Sequence, residues 1–348
     1  MPRIAHQQSV LASRSAGAMP VRRIHLHIEN SGELDPVFEA TPKRISDALK
    51  RHPRLKERLK ITLGHDGDCI ESAIRTADVL FAWDFDRRNL AERAPRLRWV
   101  HAHGAGVSHL MPLDWLPAGA VLTNSRGVHG PKADEYTAMA LLMLNNGLPR
   151  MAWNQRHAKW EQVFNTSIAN KTLLIVGVGN VGGGAAAWAK KLGLRVVGIR
   201  RTGRRHRHVD EMYTPVALRS LLPSADFVLI SAPLTDATRH MIGAQEIALL
   251  KPGAGLINYS RANLVDYGAL SKRLRRGELM AILDVFDPEP LPRSSPLWKA
   301  PNLIITPHCS SDDREQYTPR TLDLVFRNMA RFIERKPLLN RVDPELQY

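Results

Sequence analysis

Three side chains in the last third of the chain have the chemistry of an acid–base site: the cation Arg261, the carboxylate Glu289 and the titratable base His308. Each lies just after a short apolar run, which is typical of a buried strand that delivers a side chain at its carboxyl end. Ligands bind at those ends in open α/β sheets. The pattern predicts that Arg261 holds an anionic group, that His308 donates a proton and that Glu289 orients the imidazole and favours its protonated form.

A glycine-rich motif precedes these residues in the chain. Gly177, Gly179 and Gly182 form G-x-G-x-x-G between a predicted strand, TLLIV, and a predicted helix, AAAWAKKLG. In that context the first glycine permits a tight turn, the second the approach of a pyrophosphate, and the third close packing of helix and strand. We therefore expect this loop, including Asn180 and Val181, to bind a dinucleotide. The alternative is a glycine-rich turn without a ligand.

The residues after the next predicted strand bear on which dinucleotide binds. Enzymes that use NAD usually have an acid there, which binds the ribose hydroxyls. This chain has Arg200, Arg201 and Thr202 instead. Because guanidinium groups bind a 2′-phosphate by charge-assisted hydrogen bonds, the sequence predicts a preference for NADP(H), with NAD(H) possible. The alternative is that the arginines lie in a solvated loop and that NAD is used.

Short apolar strands alternate with helical segments along most of the chain, which predicts an α/β fold with parallel, doubly wound sheets. Strands of a first unit are predicted in the segments 23–28, 60–64, 78–83, 96–110 and 120–127. Five or six strands of a second unit are predicted in the segments 172–176, 194–199, 225–232, 254–260, 280–286 and 302–307.

Two further helices are predicted outside the strand-rich units. One occupies 132–146 and follows Pro131, whose missing N–H is harmless in a first turn. The other is the last helix, for which we expect Thr318 as the N-cap and Pro319 as the first helical residue. Its apolar face is predicted to comprise Leu322, Val325, Met329 and Phe332.

Taken together, these motifs resemble those of the D-isomer-specific 2-hydroxyacid dehydrogenases. The resemblance extends through most of 78–310 and is most specific at 172–308, where Arg261, Glu289 and His308 occur in the family's order. It implies an oxidoreductase that transfers hydride between NAD(P)H and a small 2-oxo acid or D-2-hydroxy acid. In that reaction the arginine holds the substrate carboxylate and polarises the carbonyl, the histidine supplies the proton and the glutamate orients the imidazole.

The same resemblance implies further contacts with the ligands. Backbone N–H groups around Ala105, Gly106 and Val107, in the segment GAGVSHL, are expected to bind the substrate. Pro233 is expected to lie beside the cofactor, and Asp284 to contact the nicotinamide carboxamide.

The chain departs from the family's usual pattern at two places. Ala262 follows the arginine where the family usually has glycine, and Cys309, Ser310 and Ser311 follow the histidine where a small pair including glycine is usual. Neither departure removes a catalytic group, but both can reshape the pocket. A glyoxylate or hydroxypyruvate type of substrate is expected, with larger apolar 2-oxo acids as the closest alternative. The alternative function is a non-catalytic dinucleotide sensor, as in corepressors with the same architecture.

The resemblance also implies the organisation of the domains. Two doubly wound domains, Rossmann-like or flavodoxin-like, are expected with the active site in the cleft between them. The substrate-binding domain is expected to be discontinuous, comprising 21–125 and 312–348, and the dinucleotide-binding domain to comprise 126–311. The chain would then cross between the domains near 124–128 and 309–314.

Composition limits the remaining functional classes. The 348 residues carry a net charge of +15, to which the arginine-rich stretches 200–208 and 1–28 contribute most. No nucleic-acid-binding motif accompanies this charge, so a nucleic-acid partner is not favoured. No apolar run is long enough to span a membrane, and Cys69 and Cys309 provide neither a disulfide framework nor metal-ligand spacing. We expect a cytoplasmic protein without a bound metal.

The N-terminal residues and the oligomeric state are the last features that the sequence bears on. Residues 1–20 are expected to be a disordered extension, with Met19 as an alternative start and an organelle-targeting peptide as the other interpretation. Many relatives form dimers through the nucleotide domain. A homodimer is therefore expected, with 132–146 and the Trp-containing segment 151–165 as its contacts.

Overall fold

The computed structural model describes residues 22–348, so the tail expected at 1–20 lies outside the described residues. Within 22–348, no helix is both long and apolar enough to cross a membrane. Two sheets are present, and all strand pairs in them are parallel. This confirms the predicted class, an α/β protein with two parallel-sheet domains.

The first sheet has the strand order β2-β1-β3-β4-β5. Its strands are β1 Ile24–Asn30, β2 Leu59–His65, β3 Val79–Ala82, β4 Trp99–Ala102 and β5 Val121–Asn124. The second sheet has the order β12-β11-β10-β9-β6-β7-β8. Its strands are β6 Thr172–Val176, β7 Arg195–Ile199, β8 Glu211–Tyr213, β9 Phe227–Ile230, β10 Gly255–Asn258, β11 Met280–Leu283 and β12 Leu303–Ile305.

The helices cover the faces of these sheets. They are α1 Pro42–Arg51, α2 Ile70–Ile74, α3 Leu90–Arg93, α4 Gly130–Asn145, α5 Leu148–Arg156, α6 Asn180–Lys191, α7 Leu218–Leu221, α8 Ala244–Leu249, α9 Tyr267–Arg275 and α10 Tyr317–Ile333. The second sheet has one apolar core on each face: α4 and α6 contribute to one, and α7, α8 and α9 to the other. Strands buried on both faces are almost entirely apolar, which is why TLLIV, FVLI and MAIL were recognisable as strands.

The strand order of the second sheet reverses between β6 and β9. From β6 the chain proceeds outwards to β7 and β8, then returns to β9 on the other side of β6. The loops after β6 and β9 therefore diverge and leave a crevice at their carboxyl ends. Open α/β sheets bind ligands at such a point.

One strand of the second sheet was not predicted. The sheet has seven strands rather than five or six, because Glu211–Tyr213 adds β8 at its edge. This strand has three residues, all partly exposed, and no apolar run that would mark it in the sequence.

The predicted start of the last helix was wrong. Helix α10 begins at Tyr317, two residues before Pro319, and Thr318 donates from its hydroxyl to the carbonyl of Val37 rather than capping the helix (2.6 Å). The side chain of Asp313 accepts hydrogen bonds from two backbone N–H groups just before the helix and so fixes the earlier start.

The apolar face of α10 was predicted correctly. Leu322, Val325 and Met329 are buried against Leu26 and Ile28 of β1. Phe332, the remaining residue of that face, is partly buried at the margin of the same core. The chain therefore returns to the first sheet after completing the second.

Candidate active site

His308 and Glu289 form a close pair at the carboxyl ends of the second sheet. The Nδ1–H of His308 donates to Oε2 of Glu289 over 2.6 Å, and the backbone N–H of Phe286 donates to Oε1 over 2.6 Å. The hydrogen bond to Glu289 raises the pKa of His308, although partial burial opposes this. Burial opposes ionisation of Glu289, yet the hydrogen bonds from His308 and Phe286 lower the pKa of its carboxyl group. The ionised carboxylate thus favours the protonated form of the imidazole.

Arg261 follows β10 in a turn that is fixed by a buried asparagine. Asn258 donates from Nδ2 to the carbonyl of Arg261 and accepts from the N–H of Ser260, both over 3.1 Å. Burial lowers the pKa of Arg261, while the nearby Glu289 and other acidic groups oppose that effect. Because guanidinium groups in proteins stay protonated, the side chain remains charged near neutral pH.

The guanidinium of Arg261 lies against a loop from the first sheet. This loop follows β4, and a Cβ atom added at Gly106 would overlap the guanidinium. Asn124 at the end of β5 anchors the loop by donating to the carbonyl of Ala105 over 2.9 Å. Among residues 22–348, the N–H groups of Ala105, Gly106 and Val107 donate to no acceptor. A cation therefore lies beside a loop whose N–H groups have no described acceptor, and such donors can bind a carboxylate.

The glycine motif occupies the crevice between β6 and β9. Gly177 has a φ of +103°, and a Cβ atom there would meet the backbone of Ala232 after β9. A Cβ atom at Gly182 would meet the carbonyl of Gly177. No described atom lies within 4 Å of the corresponding position at Gly179. The first and third glycines are therefore required by the fold, whereas the second leaves the open space that a pyrophosphate needs beside the N-terminus of α6.

The other residues of this motif lie at the start of α6. Asn180 is the first helical residue, and its amide lies close to Gly127 in the segment that connects the two sheets. Val181 is the second helical residue and is partly buried at the edge of the α6 core. Gly183 and Gly184, which extend the glycine run, permit the approach of protein side chains: His206 lies over Gly183, and Asp134 of α4 lies over Gly184.

Arg200, Arg201 and Thr202 follow β7, the neighbour of β6 on the side away from β9. The N–H of Arg200 donates to the carbonyl of Tyr213 in β8 over 3.0 Å. Arg201 donates from Nε to the hydroxyl of Tyr348 over 3.0 Å. Within 22–348, neither arginine forms an ion pair with a carboxylate, and both Arg201 and Thr202 are exposed. Two cations without acidic partners at this position fit a bound phosphate.

Asp284 has a structural role that the sequence did not reveal. It is fully buried after β11 and accepts from the hydroxyl of Thr306 (2.6 Å) and from the N–H groups of Cys309 and Ser310 (both 3.1 Å). Its backbone carbonyl accepts from the N–H of His308 over 2.8 Å. These bonds hold His308 in a left-handed conformation, with a φ of 50°, which few non-glycine residues adopt. The expected contact of Asp284 with a nicotinamide carboxamide stays a prediction.

Pro233 and Cys309 complete the predicted positions. Pro233 is exposed just after β9, and its carbonyl accepts from Thr238 over 2.7 Å.

Burial raises the pKa of the Cys309 thiol, and the neighbouring carboxylates of Asp284 and Asp312 add to that effect. A thiol kept protonated is a poor nucleophile, so Cys309 is better explained as a small neighbour of the histidine.

Comparisons with known proteins agree with this geometry. The sequence model described as "D-isomer specific 2-hydroxyacid dehydrogenase, NAD binding domain" matches residues 138–310. A protein named glyoxylate reductase from Aeropyrum pernix is 32% identical over 287 residues, which cover 79% of this chain and 85% of that protein.

Two solved structures are similar over almost the whole chain. One is a D-isomer specific 2-hydroxyacid dehydrogenase from Xanthobacter autotrophicus in complex with NADPH, with a TM-score of 0.78, 29% identity and coverage of 94% of this chain and 100% of that one. The other is an NADPH-dependent glyoxylate/hydroxypyruvate reductase from Sinorhizobium meliloti in complex with NADP, with a TM-score of 0.77, 26% identity and coverage of 93% and 100%. This chain belongs to the D-isomer specific 2-hydroxyacid dehydrogenase family and is an NAD(P)-dependent oxidoreductase.

Proposed function

We propose that this protein reduces small 2-oxo acids of the glyoxylate or hydroxypyruvate type to D-2-hydroxy acids, with NADPH as the preferred reductant. The observation that carries this proposal is the approach of the Arg261 guanidinium to Gly106, beside the pair formed by His308 and Glu289. A 2-oxo acid has a carboxylate next to a carbonyl. The cation and the free backbone N–H groups suit the carboxylate, and the protonated imidazole suits the carbonyl.

Each group of the site has a separate task in this reaction. Arg261 and the N–H groups of Ala105, Gly106 and Val107 bind the carboxylate, and Arg261 also polarises the carbonyl. His308 donates its proton from Nε2 to the oxygen of that carbonyl, because its Nδ1–H is engaged by the carboxylate partner. The carboxylate of Glu289 does not donate a proton in this step. It fixes the orientation of the imidazole ring and stabilises the imidazolium before the proton is transferred.

A bound nicotinamide dinucleotide supplies the hydride. The open space at Gly179 and the helix N-terminus at Asn180 would hold its pyrophosphate, and Arg200 and Arg201 its 2′-phosphate. Pro233, at the end of β9, would border the same crevice. Relatives of known structure that contain NADPH or NADP support this preference.

The two sheets support the proposed domain boundaries. Residues 21–125 and 312–348 would form the substrate-binding domain, since α10 packs on β1, and 126–311 would form the dinucleotide-binding domain. The crossings near 124–128 and 309–314 would act as the hinge of the cleft. Catalytic groups would then come from both sides of that hinge.

An aromatic residue beside the loop of Ala105, Gly106 and Val107 supports the proposal that the substrate is small. The ring of Trp83 lies 3.2 Å from the position that a Cβ atom would take at Gly104, so it packs closely against the start of this loop. Curated relatives named glyoxylate reductase and glyoxylate/hydroxypyruvate reductase point to the same small substrates.

The proposal is tested by an initial-rate screen of a 2-oxo acid panel with NADPH and NADH, followed by chiral analysis of the product. We expect NADPH oxidation with glyoxylate and hydroxypyruvate, and D-glycerate from hydroxypyruvate. Faster turnover of large apolar 2-oxo acids would change the substrate class. Dinucleotide binding without turnover of any compound in the panel would favour the sensor.

A further inference from the structure

The last residues of the chain cross from the first sheet to the second. Arg341 forms a bridge to Thr123 of β5, and the N–H of Val342 donates to the carbonyl of Leu122 over 2.9 Å. Val342 is only 3% exposed and belongs to the core beneath β5. This anchor fixes where the following residues, 343–348, leave the first sheet.

Residues 343–348, termed the strap below, form a compact turn. The side chain of Asp343 accepts from the N–H groups of Glu345 (2.9 Å) and Leu346 (3.1 Å), and its carbonyl accepts from Gln347 over 2.8 Å. The N–H of Asp343 in turn donates to the carbonyl of Tyr348 over 3.2 Å. A turn closed on itself presents its last two side chains in fixed directions.

Those two side chains contact the loops after β9 and β7, which flank the glycine loop after β6 as the two walls of the proposed dinucleotide site. Gln347 accepts from the backbone N–H of Asp236 (2.9 Å) and donates to its carboxylate (2.8 Å), in the loop after β9. Tyr348 accepts at its hydroxyl from Nε of Arg201, in the loop after β7 (3.0 Å). The side chains of two adjacent residues therefore connect the loop after β9 to the loop after β7.

The bond to Tyr348 leaves Arg201 able to bind an anion. A guanidinium has five N–H donors, and this bond uses only the one on Nε. The terminal nitrogens keep their four donors, which can bind a phosphate in two parallel hydrogen bonds. The hydroxyl therefore fixes the direction of the guanidinium without occupying the part that recognises phosphate.

We propose that the strap closes over the adenosine end of the bound dinucleotide, and that Tyr348 is a positioning residue that directs Arg201 towards the 2′-phosphate. The inference rests on the proposed function, since it requires a dinucleotide in this crevice. Gln347 attaches the strap to the wall at Asp236 and so affects any adenosine ligand. Tyr348 acts through Arg201 and so affects only ligands with a 2′-phosphate.

The two roles are separated by calorimetric titration of the full chain with 2′,5′-ADP and with 5′-AMP. Loss of one hydrogen bond is expected to weaken 2′,5′-ADP by about 3- to 10-fold in Tyr348→Phe and to leave 5′-AMP within about twofold. Gln347→Ala is expected to weaken both ligands by a similar factor. Tyr213→Phe is the matched control, because its hydroxyl donates to Glu211 rather than contacting Arg201, and it should change neither affinity.

Unchanged binding of 2′,5′-ADP by Tyr348→Phe, or an equal loss for both ligands, would overturn the role of Tyr348. Unchanged affinities in Gln347→Ala would overturn closure by the strap. A wild-type protein that binds neither ligand would instead overturn the proposed function on which the strap depends. Since all readouts are equilibrium affinities, they do not depend on turnover.

Discussion

The pair formed by His308 and Glu289 determines the charge state of the reacting centre. The carboxylate raises the pKa of the imidazole, and the imidazole helps to lower the pKa of the carboxyl group. Between these two values both groups are charged. The proposed reduction consumes the imidazolium. The activity is therefore expected at pH values below the raised pKa of His308 and is lost as the pH rises through that pKa.

The pH dependence of Glu289→Gln tests this coupling. Without the carboxylate, the pKa of His308 is no longer raised, so the alkaline fall in kcat/KM for reduction should begin at a lower pH than in the wild type. The measurement is the pH profile of kcat/KM with saturating NADPH. An alkaline limb at the same pH in both proteins would show that Glu289 does not set the state of His308.

We expect single residues to decide the cofactor preference as well. Replacing both Arg200 and Arg201 with Ala should raise the KM for NADPH by about 10- to 100-fold and leave that for NADH nearly unchanged, because charge-assisted hydrogen bonds to the 2′-phosphate are lost. Arg207→Ala, an exposed arginine in the same basic run, controls for general charge. Equal effects on both cofactors, or a wild-type preference for NADH, would refute the assignment.

At the scale of elements, two glycines in the turn between β6 and α6 are expected to have different roles. Gly177 is required by the fold, whereas Gly179 is required by the ligand. Gly177→Ala places a Cβ atom against the backbone of Ala232 in a left-handed conformation, which costs on the order of 1–3 kcal/mol. Its Tm and its affinity for NADPH should both fall. Gly179→Ala meets no described atom, so its Tm should be close to that of the wild type while NADPH binding weakens.

Thermal unfolding and NADPH titration of the same two variants provide the comparison. Gly130→Ala is a matched control, since a Cβ atom there meets no described atom within 4 Å and lies away from the crevice. Full NADPH affinity in Gly179→Ala would mean that the pyrophosphate does not approach this glycine.

Elements with a strong local pattern could be predicted from the sequence, and elements without one could not. Buried parallel strands are apolar throughout, so β6, β9 and β11 were evident, whereas the exposed edge strand β8 was not. The start of α10 was misplaced because Asp313 caps the preceding turn through bonds that no local signal reveals. The strap was missed for a similar reason: its partners are more than a hundred residues away in the chain.

The residues of the site show the same division. Arg261, Glu289 and His308 could be proposed from residue type and position at predicted strand ends, and the structure places Glu289 and His308 in hydrogen-bond contact. The structural role of Asp284 was hidden, because its partners are backbone N–H groups of a segment that only the fold brings near.

At the scale of the whole molecule, one surface is apolar without a described partner. The side chains of Trp160 and Phe164 are 94% and 87% exposed in the segment after α5. Further exposed apolar residues lie on α4 and α5, namely Met139, Leu142, Leu148 and Met151. Large apolar side chains exposed close together in the sequence are typical of a protein interface, and a second copy of the chain is the occupant we propose.

Charges placed on this surface should prevent the proposed homodimer from forming. Light scattering after size-exclusion chromatography should give twice the chain mass for the wild type and the single chain mass for Trp160→Asp combined with Phe164→Asp. Val216→Asp is the control, because Val216 is equally exposed but lies before α7. A monomeric wild type, or a double variant that remains dimeric, would contradict the proposed interface.

The central claim is that His308 donates the proton in an NADPH-dependent reduction. The most direct measurement compares wild type and His308→Ala by the initial rate of NADPH oxidation with hydroxypyruvate, after titration has established that both bind NADPH equally. We predict that kcat falls by about 10²–10⁴ in the variant, the usual contribution of a positioned general acid. A variant that binds NADPH normally and reduces hydroxypyruvate at the wild-type rate would contradict the account.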